Sequence, residues 1–175
     1  MRAPTKTKLL PIAAALLLVV AFPGFARSAR NIYPQLVGVG RVALNVSPDN
    51  LPGLDVEALE RDIRGALEIG GLRVQPTAPA TLFVRVTYQH LAACPEFVVF
   101  RTYVALSEDT VVHRGTRSAI VKVDTWHESE EFVERASEAG KLAHQSALGL
   151  VHYFLDAAQY SATVIKRRAA QAQPK

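Results

Sequence analysis

The sequence has 175 residues, of which 49% are hydrophobic, and a formal net charge of +4 at pH 7. This length suits one domain with its own hydrophobic core and leaves little room for two. Seven of the twenty basic side chains lie in the first eight or the last ten residues, so thirteen basic side chains face sixteen acidic ones between residues 27 and 165. A body of formal charge near −3 excludes the broad basic surface that nucleic-acid binding requires.

The N-terminus has the layout of an export signal. Three basic residues within the first eight precede an apolar stretch from Leu9 to Phe22, and Pro23 breaks that stretch. Fourteen apolar residues are short for a permanent membrane helix, which needs roughly 20. We therefore expect residues 1–28 to be a signal peptide cleaved after Ala26 or Ser28, which predicts a periplasmic or secreted protein without a stable membrane span.

The remaining chain is expected to form a single α+β domain over residues 29–163, followed by a disordered basic tail over residues 164–175. Cys94 is the one cysteine of the chain. It therefore has no partner for an internal disulfide, and the fold must be held by packing. The sequence leaves open whether Cys94 forms a disulfide with another chain.

The first half of the domain alternates between extended and helical patterns. Val42, Leu44 and Val46 recur with period two and predict a strand. Asp55 is the predicted N-cap of a helix. The apolar stripe of that helix comprises Val56, Leu59, Ile63 and Leu67. The pair Gly70-Gly71 is expected to end the helix before a short extended segment that begins at Leu72.

Three long strands are predicted next, as an antiparallel meander. The first has a buried face of Leu82, Val84, Val86 and Tyr88. The second runs from Phe97 to Leu106, and Ser107-Glu108-Asp109 is interpreted as the hairpin turn that follows it. The third is expected from Arg114 to Trp126.

A long amphipathic helix is predicted from about Phe132 to Tyr160, with Ser129 as a candidate cap. Its many alanines indicate close packing against a sheet. The element order is strand-helix-strand-strand-strand-strand-helix. It predicts an α+β fold, with a mostly antiparallel sheet of about four to five strands and two helices on one face.

The order of elements resembles that of an uncharacterised family of exported bacterial envelope proteins. The residues that carry the resemblance are Val42-Ala-Leu-Asn-Val46, Gly53-Leu-Asp-Val-Glu-Ala-Leu59, Gly71-Leu-Arg-Val74 and Thr125-Trp126. More distantly, the layout is similar to that of the lipopolysaccharide-assembly outer-membrane lipoprotein, in which two helices cover one side of a small sheet. The acylated cysteine of that lipoprotein is missing here, so the resemblance implies a fold and not a role in lipopolysaccharide assembly.

The residue patterns of catalytic and metal sites are weak in this chain. The best histidine cluster would join His113 and His127 to Glu128 or Glu130, but a metal site needs three or four converging ligands and these histidines flank one predicted strand. Cys94 precedes a proline in a turn and does not lead a helix, whose N-terminus would activate a nucleophilic thiol. We therefore expect a non-enzymatic protein with no catalytic, cofactor-binding or metal-binding residues.

One stripe of side chains is the candidate contact surface. Phe97, Val99, Arg101 and Tyr103 share the strand face opposite the expected core, and Trp126 lies at the junction between the last strand and the last helix. Such an apolar and aromatic stripe on an uncovered sheet face is typical of a protein-binding surface. The hypothesis is a binding or assembly module of the bacterial cell envelope whose partner is an envelope protein or a second copy of the chain. The alternative is a small-molecule or lipid carrier that binds its ligand between the sheet and the C-terminal helix.

Overall fold

The structure is a computed structural model and describes residues 31–172. The expected signal peptide and its cleavage site lie outside these residues. None of the helices in the described range is both long and apolar enough to cross a membrane.

Residues 31–172 form a five-stranded sheet with two helices. After a 3₁₀ turn at Pro34–Leu36, the elements are β1 (Arg41–Pro48), α1 (Val56–Ile69), β2 (Arg73–Val74), β3 (Ala80–Leu91), β4 (Cys94–Arg114), β5 (Arg117–Arg135) and α2 (Ala136–Gln171). The strand order across the sheet is β2-β1-β3-β4-β5. The predicted α+β class is confirmed. The sheet is mixed, because β1 runs parallel to both β2 and β3, while the pairs β3–β4 and β4–β5 are antiparallel.

Helix α1 begins and ends where its sequence signals place it. The Asp55 carboxylate accepts a hydrogen bond of 2.9 Å from the backbone N–H of Ala58, which satisfies one of the free donors of the first turn. Gly71 has a φ of +87°, and the N–H of Leu72 donates to the carbonyl of Leu67 at 2.9 Å. This helix forms the crossover that allows β1 and β2 to run parallel.

Both helices pack on the same face of the sheet and bury the core there. The buried side chains of the sheet are those expected from the alternation, such as Leu82, Val84 and Phe100. Ala139, Ala143 and Ala147 of α2 are fully buried, and their small size lets the helix approach the sheet closely. Burial of this apolar surface is the main stabilising contribution to the fold.

The predicted turn at Ser107-Glu108-Asp109 is wrong. Strand β4 runs through these residues to Arg114, and the hairpin closes at Gly115 and Thr116. Gly115 has a φ of +60°, whereas Thr116 has no positive φ, which is the pattern of a type II′ turn. The segments 109–114 of β4 and 117–122 of β5 therefore extend beyond the body of the sheet as a two-stranded hairpin, called here the ribbon, with Glu108 at its base.

The predicted start of the last helix is also wrong. Phe132 belongs to β5, where it pairs with Phe100 and stacks on it at a ring-centroid distance of 5.3 Å. Ser129 pairs with Tyr103 in the sheet and caps no helix, because α2 begins at Ala136. The helix continues to Gln171, so residues 164–171, which were expected to be disordered, form its last turns.

Candidate functional site

The face of the sheet opposite the helices is the candidate site, and we call it the open face. Within residues 31–172 both helices pack on the other side, so alternate residues of β1, β3, β4 and β5 point away from the core. The open face carries the side chains of Asn45, Ser47, Phe83, Arg85, Val99, Arg101, Tyr103 and Asp124. It combines half-buried rings with exposed charged groups.

A depression of about 360 Å³ lies near the middle of the open face. Phe83, Arg85 and Tyr103 line it together with Lys122 and Asp124. The register explains this grouping, because Arg85 of β3 lies directly opposite Tyr103 of β4, and Phe83 lies opposite Ala105. The small Ala105 side chain leaves the space between the larger ones.

Asp124 is fixed in this depression by two hydroxyl groups. The Tyr103 hydroxyl donates to its Oδ2 at 2.7 Å, and the buried Ser107 hydroxyl donates to its Oδ1. A β-bulge makes this geometry possible: Leu106 pairs with Trp126 while Ser107 pairs with Asp124, which leaves Thr125 as the additional residue of β5. The bulge turns Asp124 toward the open face.

The hydrogen bonds within this cluster also shift its proton affinities. The bonds from Ser107 and then from Tyr103 lower the pKa of the Asp124 carboxyl, because they stabilise its charged form. Partial burial and then the bond to Asp124 raise the pKa of Tyr103 to about 12. The cluster therefore presents a carboxylate and a neutral phenol over the whole physiological pH range.

Basic and aromatic groups surround this carboxylate. Arg101 donates a hydrogen bond of 3.0 Å to the Ser129 hydroxyl, which holds the guanidinium over the sheet. The His127 ring stacks on Tyr103 with centroids 5.9 Å apart. Arg85 is exposed and stands beside Tyr103. The face thus offers charges of both signs next to aromatic surface.

The structure brings four of the five residues of the predicted stripe together on this face. Val99, Arg101 and Tyr103 alternate along β4, and Phe97 near the start of this strand lies under the Arg135 guanidinium, 5.6 Å from the ring centroid. Whether these residues contact a partner stays a prediction.

Trp126 does not belong to the open face. It is 3% exposed and packs on Phe154 and Tyr153 of α2, with ring centroids 5.2 and 6.2 Å away. Trp126 pairs with Leu106, whose side chain points to the helices, and paired residues share a face. It therefore holds α2 to the sheet.

Sequence reasoning missed Phe83, Lys122 and Asp124 as members of the site. The alternation along β3 is a signal that could have identified Phe83, since it lies between the buried Leu82 and Val84. Lys122 and Asp124 alternate with Val121 and Val123, which indicates that they share the opposite face, but the bulge that directs Asp124 away from the face of Trp126 has no such signal.

The histidines do not converge. His113 lies near the tip of the ribbon and is hydrogen-bonded to Ser118 at 2.7 Å, whereas His127 lies on the open face. In the described part of the chain no group of three or more His, Cys, Asp or Glu side chains is placed to hold a metal ion.

The comparisons with known proteins give little further information. No family model matches the chain, and no curated protein matches it. Among solved structures, a variant of PelC from Paraburkholderia phytofirmans, solved as a dodecamer, is similar with a TM-score of 0.38 and 14% identity. The match covers 70% of this chain and 87% of the PelC chain.

Proposed function

We propose that this protein is a non-enzymatic binding or assembly module of the bacterial cell envelope, exported to the periplasm, whose open face binds another envelope protein. The observation that carries the proposal is the open face itself, with a depression in which Phe83, Tyr103, Arg85 and Asp124 converge. Localisation in the periplasm rests on the signal-like sequence of residues 1–28.

The chemistry of the face fits a polypeptide partner. Tyr and Arg side chains are enriched at the centres of protein interfaces, because both give a large contact area together with directed hydrogen bonds. Tyr103 and Arg101 are already held by Asp124 and Ser129, so less side-chain entropy is lost when a partner binds. The fixed Asp124 carboxylate and the exposed Arg85 would select a partner with complementary charges.

The packing favours this function over the lipid carrier. A carrier would need space between the sheet and α2. That layer is occupied by Val98, Phe100, Ala139 and Ala143, each of which is fully buried. The open depression lies on the other side of the sheet.

Charge reversal on the open face tests the proposal. Val99 is half-buried and Arg85 is exposed. Neither contributes to the core clusters. The double variant Arg85→Glu/Val99→Glu should keep the circular dichroism spectrum of the wild type. In a quantitative pull-down from envelope extracts of the producing organism, it should lose about tenfold or more of the specifically bound partner.

The matched control places the same substitutions on α1. Arg61 and Val56 are both exposed there, so the variant Arg61→Glu/Val56→Glu should retain the partner. If the open-face variant recovers as much partner as the wild type, or if the control loses the partner equally, the assignment of this face is wrong.

A further inference from the structure

The ribbon is an exposed apolar surface that is separate from the open face. Its valines and isoleucine are exposed on both faces: Val111 is 52% exposed and Ile120 73% on one face, and Val112 is 40% and Val121 36% on the other. A hairpin of two strands is at best marginally stable in water. A ribbon that is apolar on both sides is therefore expected to join a larger sheet.

The charges of the ribbon are separated along its length. Glu108 and Asp109 lie at its base together with Lys122, whose Nζ is 4.0 Å from the Asp109 carboxylate, whereas His113, Arg114 and Arg117 lie at its tip. The base therefore has a net negative charge and the tip a net positive one. Arg114 and Arg117 are directly paired across the two strands. Two like charges in this position destabilise a hairpin, and a nearby carboxylate offsets the repulsion. A second ribbon in antiparallel orientation would bring its acidic base beside this basic tip.

The edge of β4 is the one suited to strand pairing. The pairing with β3 reaches Glu108, which lies opposite Ala80, and within residues 31–172 no strand lies beside Asp109–Arg114 on the side of β4 that faces away from β5. The β5 strand of the ribbon is less suited, because it carries Lys122, a residue type that usually prevents strand pairing. Below the ribbon, the Gln35 side chain donates a hydrogen bond of 2.9 Å to the carbonyl of Thr125 of β5. The β4 edge lacks the prolines and lysines that usually prevent pairing.

We propose that the ribbon pairs with the ribbon of a second copy of this chain, β4 to β4 and antiparallel, about a two-fold axis at Val112. Ala80 fixes this register, because it occupies the place beside Glu108 and the strand of the second copy can begin only beside Asp109. Val112 then lies opposite Val112 of the other copy, and Thr110 lies opposite Arg114.

One face of the resulting four-stranded ribbon places opposite charges close together, because Arg114 of each copy is diagonal to Glu108 of the other. On the opposite face His113 is diagonal to Asp109, whose carboxylate also faces Lys122 of its own chain. Diagonal neighbours are about 7–8 Å apart, within reach of long side chains. The contact involves only the ribbons and is small, so the dimer is expected to be weak and dependent on concentration.

Sedimentation velocity over a concentration series tests the pairing. The wild type should pass from monomer to dimer as its concentration rises. Val112→Lys should remain monomeric, because it places two ammonium groups at the axis. The control Ile120→Lys alters the most exposed apolar residue of the ribbon on its other strand and should dimerise like the wild type.

A charge-exchange experiment distinguishes this dimer from non-specific association. Glu108→Lys/Asp109→Lys makes the whole ribbon basic, and His113→Glu/Arg114→Glu makes it acidic apart from Arg117 and Lys122. Each variant alone should be monomeric, and an equimolar mixture should form the dimer. A wild type that stays monomeric at its highest soluble concentration would overturn the proposal, as would a mixture that stays monomeric while both variants keep the wild-type circular dichroism spectrum. Neither result would affect the proposed role of the open face.

Discussion

Asp124 owes its position to a single additional residue in β5. Without the bulge at Thr125, the strict alternation of β5 would place Asp124 on the same face as Trp126, among apolar side chains. With it, the carboxylate meets two hydroxyl donors on the open face. The alternation of β4 predicted which face Val99, Arg101 and Tyr103 occupy. A bulge leaves no comparable pattern in the sequence.

The Asp124 cluster predicts a pH-dependent stability. Because the folded protein lowers the pKa of Asp124, its contribution to stability is fully present above the unfolded pKa of about 4 and is lost as the pH falls through the folded value. The difference in free energy of unfolding between the wild type and Asp124→Asn should therefore be largest near neutral pH and shrink in acid. Urea denaturation at several pH values measures it. If the difference in free energy of unfolding were the same at all pH values, the negative charge of Asp124 would not contribute to stability.

At the scale of elements, the sequence predicted the order of strands and helices, and it failed at two boundaries. The polar triplet Ser107-Glu108-Asp109 resembled a turn, but the buried Ser107 hydroxyl is hydrogen-bonded to Asp124, and Asp109 lies where the strand leaves the core and polar side chains reach water. Phe132 fitted the helical period of α2, although its pairing with Phe100 holds it in β5. Both wrong boundaries depend on contacts between residues far apart in the sequence, and the local pattern of polar and apolar residues carries no information about such contacts.

The contact between α2 and the loop before α1 gives a prediction for this element. A Cβ atom on Gly140 would collide with the backbone of Gly53 and Leu54, whereas a Cβ atom on Gly149 of the same helix would meet nothing within 4 Å. Gly140→Ala should therefore reduce the free energy of unfolding by at least about 2 kcal/mol, because backbone atoms must move. Thermal and urea denaturation of the purified variant measure the loss.

The matched control is Gly149→Ala. It should stabilise the protein by about 0.5–1 kcal/mol through the higher helix propensity of alanine. If both variants had the same free energy of unfolding, Gly140 of α2 would not lie against the backbone of Gly53 and Leu54.

At the scale of the whole molecule, the two helices of residues 31–172 cover one face of the sheet, and no described element covers the other. The helical face is filled by apolar side chains and contributes stability, while the open face carries the fixed carboxylate, the arginines and the rings. The binary pattern of the sequence predicted this division. The depression on the open face was not predictable, because it depends on the register that places Arg85 beside Tyr103.

Site-specific photo-crosslinking in intact cells of the producing organism tests the central claim most directly. A photoreactive residue in place of the exposed Arg85 should give a discrete crosslinked product with an envelope protein. The same residue in place of Gln145, which is exposed on α2, should give none. Crosslinks from Gln145 and none from Arg85 would contradict the account, as would the absence of crosslinks from both.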